Sequence, residues 1–285
     1  MKGFGDLYKS EKKKNKKSTF SKEQIINQAI QCHLQGNISQ AAKLYQFIIT
    51  QGFCDHRVFS NYGGILQGLG KLKEAESYFR KAIKFNPNFA DAHSNLGNIL
   101  RDLGKLEDAE NSIRKAIELN PDFVNAHLNL GNILKDLGNL KEAEISTRRA
   151  IELNPDLEIA HSNLGNILRN LGNLKEAEIS TRRAIKLKPD FVEAYSNLGS
   201  ILKELGKLEE AELSTRKAIE LNPNFAEAYS NLGSILREFG KLEEAELSTR
   251  KAIELNPNFV EAHLNLGGIL KDLGKIEEAK ISYRK

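Results

Sequence analysis

The sequence predicts an all-α protein, a right-handed superhelical solenoid of antiparallel helical hairpins, on three observations. Every proline in the chain (Pro87, Pro121, Pro155, Pro189, Pro223 and Pro257) falls on one 34-residue period, and a fixed period of that size marks a repeat architecture. The stretch between successive prolines holds two apolar-periodic segments with helical spacing. A glycine separates the two with almost no room for a loop, as in Gly206 before Leu208.

The first segment of each unit is an amphipathic helix. In residues 192–225, Ala194, Leu198, Ile201 and Leu205 form one apolar stripe when turned at about 100° per residue, and Tyr195, Gly199 and Leu202 widen it. Glu193, Ser196, Asn197, Ser200, Lys203 and Glu204 occupy the opposite arc. Gly206 stops this helix. The second segment carries Leu208, Ala211, Thr215, Ala218 and Ile219 on its apolar side and stops at Asn222-Pro223, because proline lacks an N–H and clashes with the preceding turn. Asp122, Asp156, Asp190 or Asn224 after the proline is expected to cap the next helix, with Asp190 and Glu193 completing a capping box. Glu110 with Arg114, Glu144 with Arg148 and Glu212 with Arg216 are i, i+4 pairs in the favourable orientation. One such hairpin cannot bury its apolar side alone. Stacking buries it and leaves a concave surface lined by first helices.

On this period the chain divides into a basic tail (1–21), a degenerate hairpin without proline (22–55, with Ala41 in register) and seven units over 56–285. These begin at His56, Ala90, Val124, Glu158, Val192, Ala226 and Val260. The last unit is incomplete, since Lys285 falls inside its second helix. Either that final helix frays or a capping segment or further domain follows, and both are expectations.

The formal charge of +4 over 285 residues suggests nucleic acid until it is located. Residues 1–20 carry seven lysines against Asp6 and Glu11, or +5, which leaves −1 for the rest. The excess belongs to a polar tail with too little apolar surface to order. The Arg-Lys and Arg-Arg steps of the second helices read as a salt-bridged face, so nucleic acid is not an expected partner. No apolar run approaches the roughly 20 residues of a membrane span and no signal peptide is legible, so a cytoplasmic location is expected. Cys32 and Cys54 lack the spacing of a metal site and read as free thiols.

Phe59, Tyr62-Gly63, Leu66, Ala75, Phe79, Ala82 and Pro87 stand in an order that, at this period, resembles the tetratricopeptide repeat. The likeness covers residues 56–285 and extends weakly back to about 22. Later units depart from it: the second-helix aromatic becomes Thr147, Thr181, Thr215 and Thr249, and the first-helix aromatic becomes His93, His127, His161 and His263. Packing there is expected to be lighter and more polar.

Asparagine precedes the apolar-glycine pair in all seven units, as Asn61, Asn95, Asn129, Asn163, Asn197, Asn231 and Asn265, and Asn98, Asn132 and Asn166 add a second row that becomes Ser200 and Ser234. An amide offers donors and an acceptor, which is what a peptide backbone needs. The row is similar to the asparagine ladder of O-linked N-acetylglucosamine transferases. That resemblance implies that these asparagines hold the backbone of an extended polypeptide; a ladder that only bonds one repeat to the next is the other reading of the same residues. Selectivity would then come from neighbours on the arc, which in the C-terminal half are Glu193, Glu204, Glu227, Glu238, Glu261 and Asp272, with Lys203, Arg237 and Lys271 cancelling part of their field. Basic peptides are the expected ligands there. A clamp for acidic C-termini is not expected, because Ser94, Leu128, Ser162 and Ser196 stand where its first lysine would be.

No catalytic constellation is legible. Leu103-Gly104-Lys105-Leu106 lacks the hydroxyl residue and upstream glycine of a phosphate loop. Equivalent histidines lie about 8–10 Å apart, too far to share one metal ion. Neither cofactor nor metal is expected. The sequence reads as a non-enzymatic scaffold for extended peptides. The rival reading is the substrate-recruiting array of a protein-modifying enzyme, a glycosyl- or sulfotransferase, with its catalytic domain downstream. Oligomeric state is not legible.

Overall fold

A computed structural model of the chain describes residues 21–284, and within them every regular element is helical. The basic tail of residues 1–20 lies outside the described residues. Ser21, counted with that tail, is instead the N-cap of the first helix, where it and Gln24 form a capping box. The described residues form two compact units that divide between Lys105 and Leu106.

The first unit contains α1 (Lys22–Leu34), α2 (Ile38–Thr50), α3 (His56–Gly68), α4 (Leu72–Phe85) and α5 (Ala90–Asp102). The degenerate hairpin α1–α2 is built on Ile26, Ala29, Tyr45 and Ile48, and it shares its core with Val58 and Ile65 of α3. Aromatic rings seal the next hairpin: Tyr78 meets Tyr62 edge-on at 4.9 Å and stacks on Phe59 at 6.2 Å.

The second unit contains α6 (Leu106–Leu119), α7 (Val124–Asp136), α8 (Leu140–Leu153), α9 (Glu158–Asn170), α10 (Leu174–Leu187), α11 (Val192–Glu204), α12 (Leu208–Leu221), α13 (Ala226–Glu238), α14 (Leu242–Leu255), α15 (Val260–Asp272) and α16 (Ile276–Ser282). Each core layer joins consecutive hairpins. Leu164 and Leu168 of α9 and Ala177 of α10, for example, enclose Ile201 of α11. The stripe read from residues 192–225 is the buried side, with Ala194 and Ile201 fully covered.

Glycine makes the tight turn inside each hairpin. Gly206 has φ +74°, its N–H reaches the Lys203 carbonyl, and the next N–H, of Lys207, reaches back to Leu202. This is a Schellman stop, which only glycine adopts without strain. The helix starts differ from expectation. Asp122, Asp156, Asp190 and Asn224 do not cap: the N-cap residues are Phe123, Leu157, Phe191 and Phe225, without a side-chain cap. The side-chain acceptor sits before the proline instead, where Asn222 Oδ1 takes the N–H of Asn224 at 3.0 Å. That Asx turn uses the asparagine to shape the link between hairpins, and the helix start carries no carboxylate cap.

The polar packing expected from threonine is present and fully satisfied. Thr147, Thr181, Thr215 and Thr249 are buried, and each donates its hydroxyl to the carbonyl four residues earlier, 2.8–2.9 Å away. A Cβ on Gly131, Gly165, Gly199 or Gly233 would collide with these hydroxyls, so glycine on one helix and threonine on the other set how closely the hairpin closes.

Candidate functional site

First helices of neighbouring hairpins in the second unit, α7, α9, α11, α13 and α15, pack directly on one another. Their polar arcs therefore line up side by side. Across α9, α11, α13 and α15 they form a groove of about 860 Å³ lined by parallel rows of side chains.

Asparagine occupies the central row. The Asn231 amide donates to Ser196 Oγ at 2.9 Å, Asn265 to Ser230 at 3.0 Å and Asn197 to Ser162 at 3.4 Å. Each bond crosses to the preceding repeat and ends on a buried serine. Asn163 departs from the pattern because its preceding repeat has Leu128 where the others have serine. It donates instead to Asn132 Oδ1 at 2.8 Å. One N–H of every such amide is thus used between repeats. Among the described residues, no protein group occupies Oδ1 of Asn163, Asn197, Asn231 or Asn265. The second row, Asn166, Ser200 and Ser234, lines the same groove.

The remaining asparagines are placed differently. Asn129 and Asn132 lie half-buried on α7 of the second unit, and Asn95 and Asn98 half-buried on α5 of the first. Asn61, on α3, lies near the buried hydroxyl of Tyr45, which is 3.5 Å from His33 Nδ1 and whose phenol burial pushes up to about 12. It stands where the degenerate hairpin meets the next.

The six acidic residues divide into two rows. Glu204, Glu238 and Asp272, at the C-terminal ends of the first helices, are ion-paired with the previous repeat: to Arg169 at 2.6 Å, Lys203 at 3.5 Å and Arg237 at 2.5 Å. The hydrogen bond from Arg237 holds the Asp272 carboxyl below its ordinary value. Glu193, Glu227 and Glu261, in the first turns, are exposed and have no ion-pair partner among the described residues. Beside them stand the half-buried rings of Phe191, Phe225 and Phe259, which sequence reading did not assign to the site. The groove is therefore negative along one edge and neutralised along the other.

Second helices present a different face. Arg148, Arg182 and Arg250 each bind a glutamate four residues earlier and one on the next repeat, the latter at 2.6–2.8 Å. Lys207, Lys241 and Lys275 close further bonds to Glu178, Glu212 and Glu246 at 2.7–3.0 Å. These cations are engaged within the protein. The histidines act as clips: Nε2–H of His93, His127, His161 and His263 donates to the carbonyl of Pro87, Pro121, Pro155 and Pro257 at 2.8–2.9 Å.

Tandem helical hairpins that bury their cores only against their neighbours define a repeat protein built to present a surface. Models described as tetratricopeptide repeat match residues 56–89, 78–111, 124–157, 192–225, 226–259 and 249–281, and one described as TPR repeat matches 97–138 and 165–206. The chain belongs to the tetratricopeptide repeat family. No curated protein sequence matches it. Among solved structures it is similar to a chain of the APC/C hetero-tetramer Cut9-Hcn1, with a TM-score of 0.75 and 17% identity over 89% of this chain. It spans 50% of that chain. A tetratricopeptide repeat protein from Parabacteroides merdae ATCC 43184 gives a TM-score of 0.69 and 21% identity, covering 88% of this chain and 99% of that one. YrrB, described as a TPR protein with an unusual peptide-binding site, gives 0.50 and 29% identity, covering 65% of this chain and 95% of its own. Membership of the family points to protein partners. Among the described residues, no helix is long and apolar enough to cross a membrane.

Proposed function

We propose that the chain is a non-enzymatic interaction scaffold that holds an extended segment of a partner protein in the groove of its second unit. One observation carries this reading. The amides of Asn163, Asn197, Asn231 and Asn265, which line the groove, are each fixed by a donor bond to the preceding repeat, which leaves their Oδ1 acceptors without a protein partner. A row of pre-oriented acceptors suits backbone N–H groups, and preorganisation lowers the ordering cost of binding. The structural and ligand roles of the ladder are then two uses of one amide: its N–H bonds the neighbour and its oxygen meets the ligand. The likeness to YrrB, whose description names a peptide-binding site, supports the same reading.

The test is a peptide-library screen on the full chain, followed by the triple substitution N163A/N197A/N231A. A net 0.5–1.5 kcal/mol per hydrogen bond predicts about tenfold or greater weakening with helical content retained. Ligands whose affinity ignores the triple substitution would move the binding surface elsewhere.

A further inference from the structure

Resting on that reading, we infer that the ligand class is a polyproline-II segment carrying lysine or arginine at every third residue. The argument begins with the groove's repeat distance. First helices in direct contact lie about 8–10 Å apart, so the Oδ1 acceptors and the unpaired carboxylates of Glu193, Glu227 and Glu261 recur at about that interval. A ligand that uses several of them must present equivalent groups with the same spacing.

Three regular conformations can be compared. In a β-strand, side chains on one face recur every second residue, roughly 6.6–6.8 Å, and drift out of step with the groove. An α-helix recurs near 10.5 Å over two turns, but its backbone N–H groups are already bonded internally and have no use for the asparagine oxygens. Polyproline II has three residues per turn and rises 3.1 Å per residue, so same-face positions recur about every 9.3 Å with the backbone wholly unbonded. It alone matches both the distance and the free acceptors. The residue facing an asparagine must then be one that keeps its N–H, so proline belongs at the other positions.

The two edges decide which side chain takes the third position. The edge formed by Arg169–Glu204, Lys203–Glu238 and Arg237–Asp272 is already neutralised. On the opposite edge Glu193, Glu227 and Glu261 each stand two residues from an accessible phenyl ring, Phe191, Phe225 and Phe259. A carboxylate beside a ring face is a composite site for a cation on an aliphatic stem. The ring of Phe191 already receives the Lys188 ammonium at 5.1 Å. Asn222 and Asn256 replace that lysine in the next two repeats, so the cation sites at Glu227 and Glu261 are the stronger ones.

The experiment uses fluorescein-labelled peptides of one composition, rich in proline, serine and glutamine with equal lysine content. They differ only in lysine spacing, every second, third or fourth residue, and their affinity for the full chain is read by anisotropy. The third-residue peptide should bind about tenfold or more tightly than either of the others. The exposed-site variant E193Q/E227Q/E261Q should lose that preference while its circular dichroism stays unchanged. Equal affinity for the three spacings, or a preference that survives the glutamine substitutions, overturns the register and leaves the groove reading intact. Binding of all three peptides that ignores N163A/N197A/N231A, or no binding by any of them, overturns both.

Discussion

The side-chain amide of Asn231 donates to Oγ of Ser196, 2.9 Å away and one repeat earlier, and Ser196 is 3% exposed. The bond joins two hairpins through polar groups, and it also sets which way the amide oxygen points. The serine therefore fixes the orientation of the Asn231 amide. Replacing Ser162, Ser196 and Ser230 by alanine frees three amides to rotate. Each lost bond should lower stability by about 0.5–1.5 kcal/mol, and peptide affinity should fall although every asparagine remains. Urea melts and anisotropy on one preparation check both, and unchanged affinity would show that the amides need no anchor.

Hairpin closure is set by Gly199 against Thr215. An added Cβ would meet the Thr215 hydroxyl and lie 3.2 Å from the backbone oxygen of Ala211. Gly199→Ala should destabilise the protein by about 1–3 kcal/mol, the usual cost of overpacking. Combining it with Thr215→Ala removes the colliding oxygen, so the double variant should be more stable than the sum of the two singles predicts. Strict additivity in denaturant melts would place the constraint elsewhere.

Acid should weaken the fold through its ion-pair ladder. The Glu246 carboxyl lies below its ordinary 4.5 chiefly because Lys275 donates a hydrogen bond to it, with burial opposing and Arg250 adding. Glu76 is lowered in the same way, chiefly by Lys105. A depressed folded pKa gives stability that is complete above the unfolded value and lost as pH falls through the folded one. Thermal midpoints should thus be flat near neutrality and drop below about pH 4.5, and Glu246→Gln should shallow the drop. A midpoint that falls between pH 8 and 6 instead would point to other groups.

On the second helices, Arg182 bonds Glu178 at 2.9 Å and Glu210 at 2.6 Å with its side chain 46% exposed. Its truncation to alanine should cost no more than about 1 kcal/mol, because exposed pairs are screened. A loss of several kcal/mol in a chemical melt would make the ladder a main source of stability.

The hairpins were legible because glycine and proline mark every boundary and the apolar stripe repeats without error. The helix starts were not: Asp190 looks like a cap by spacing, but the backbone places Phe191 at that position. Within the groove, residue types and rows could be read from the arc of one helix. Their partners could not. Whether Glu204 meets solvent or Arg169 depends on the stacking of two hairpins, and periodicity within one helix carries no information on that. The Ser196–Asn231 bond left one signal, the recurrent Ser-Asn pair, but its two members belong to different repeats.

Residues 208–225 and 242–259 are the same eighteen letters, LEEAELSTRKAIELNPNF, and the stretch ends on the phenylalanine from which the next first helix starts. Since the interfaces within the second unit join each hairpin to its neighbour, a gene exchange between such twin segments would add or delete one whole hairpin and still leave each of those junctions with a compatible mate. The groove would lengthen or shorten by one asparagine and one carboxylate. The array can thus be resized by copying errors, and the longest ligand it accommodates would be inherited as a number of repeats.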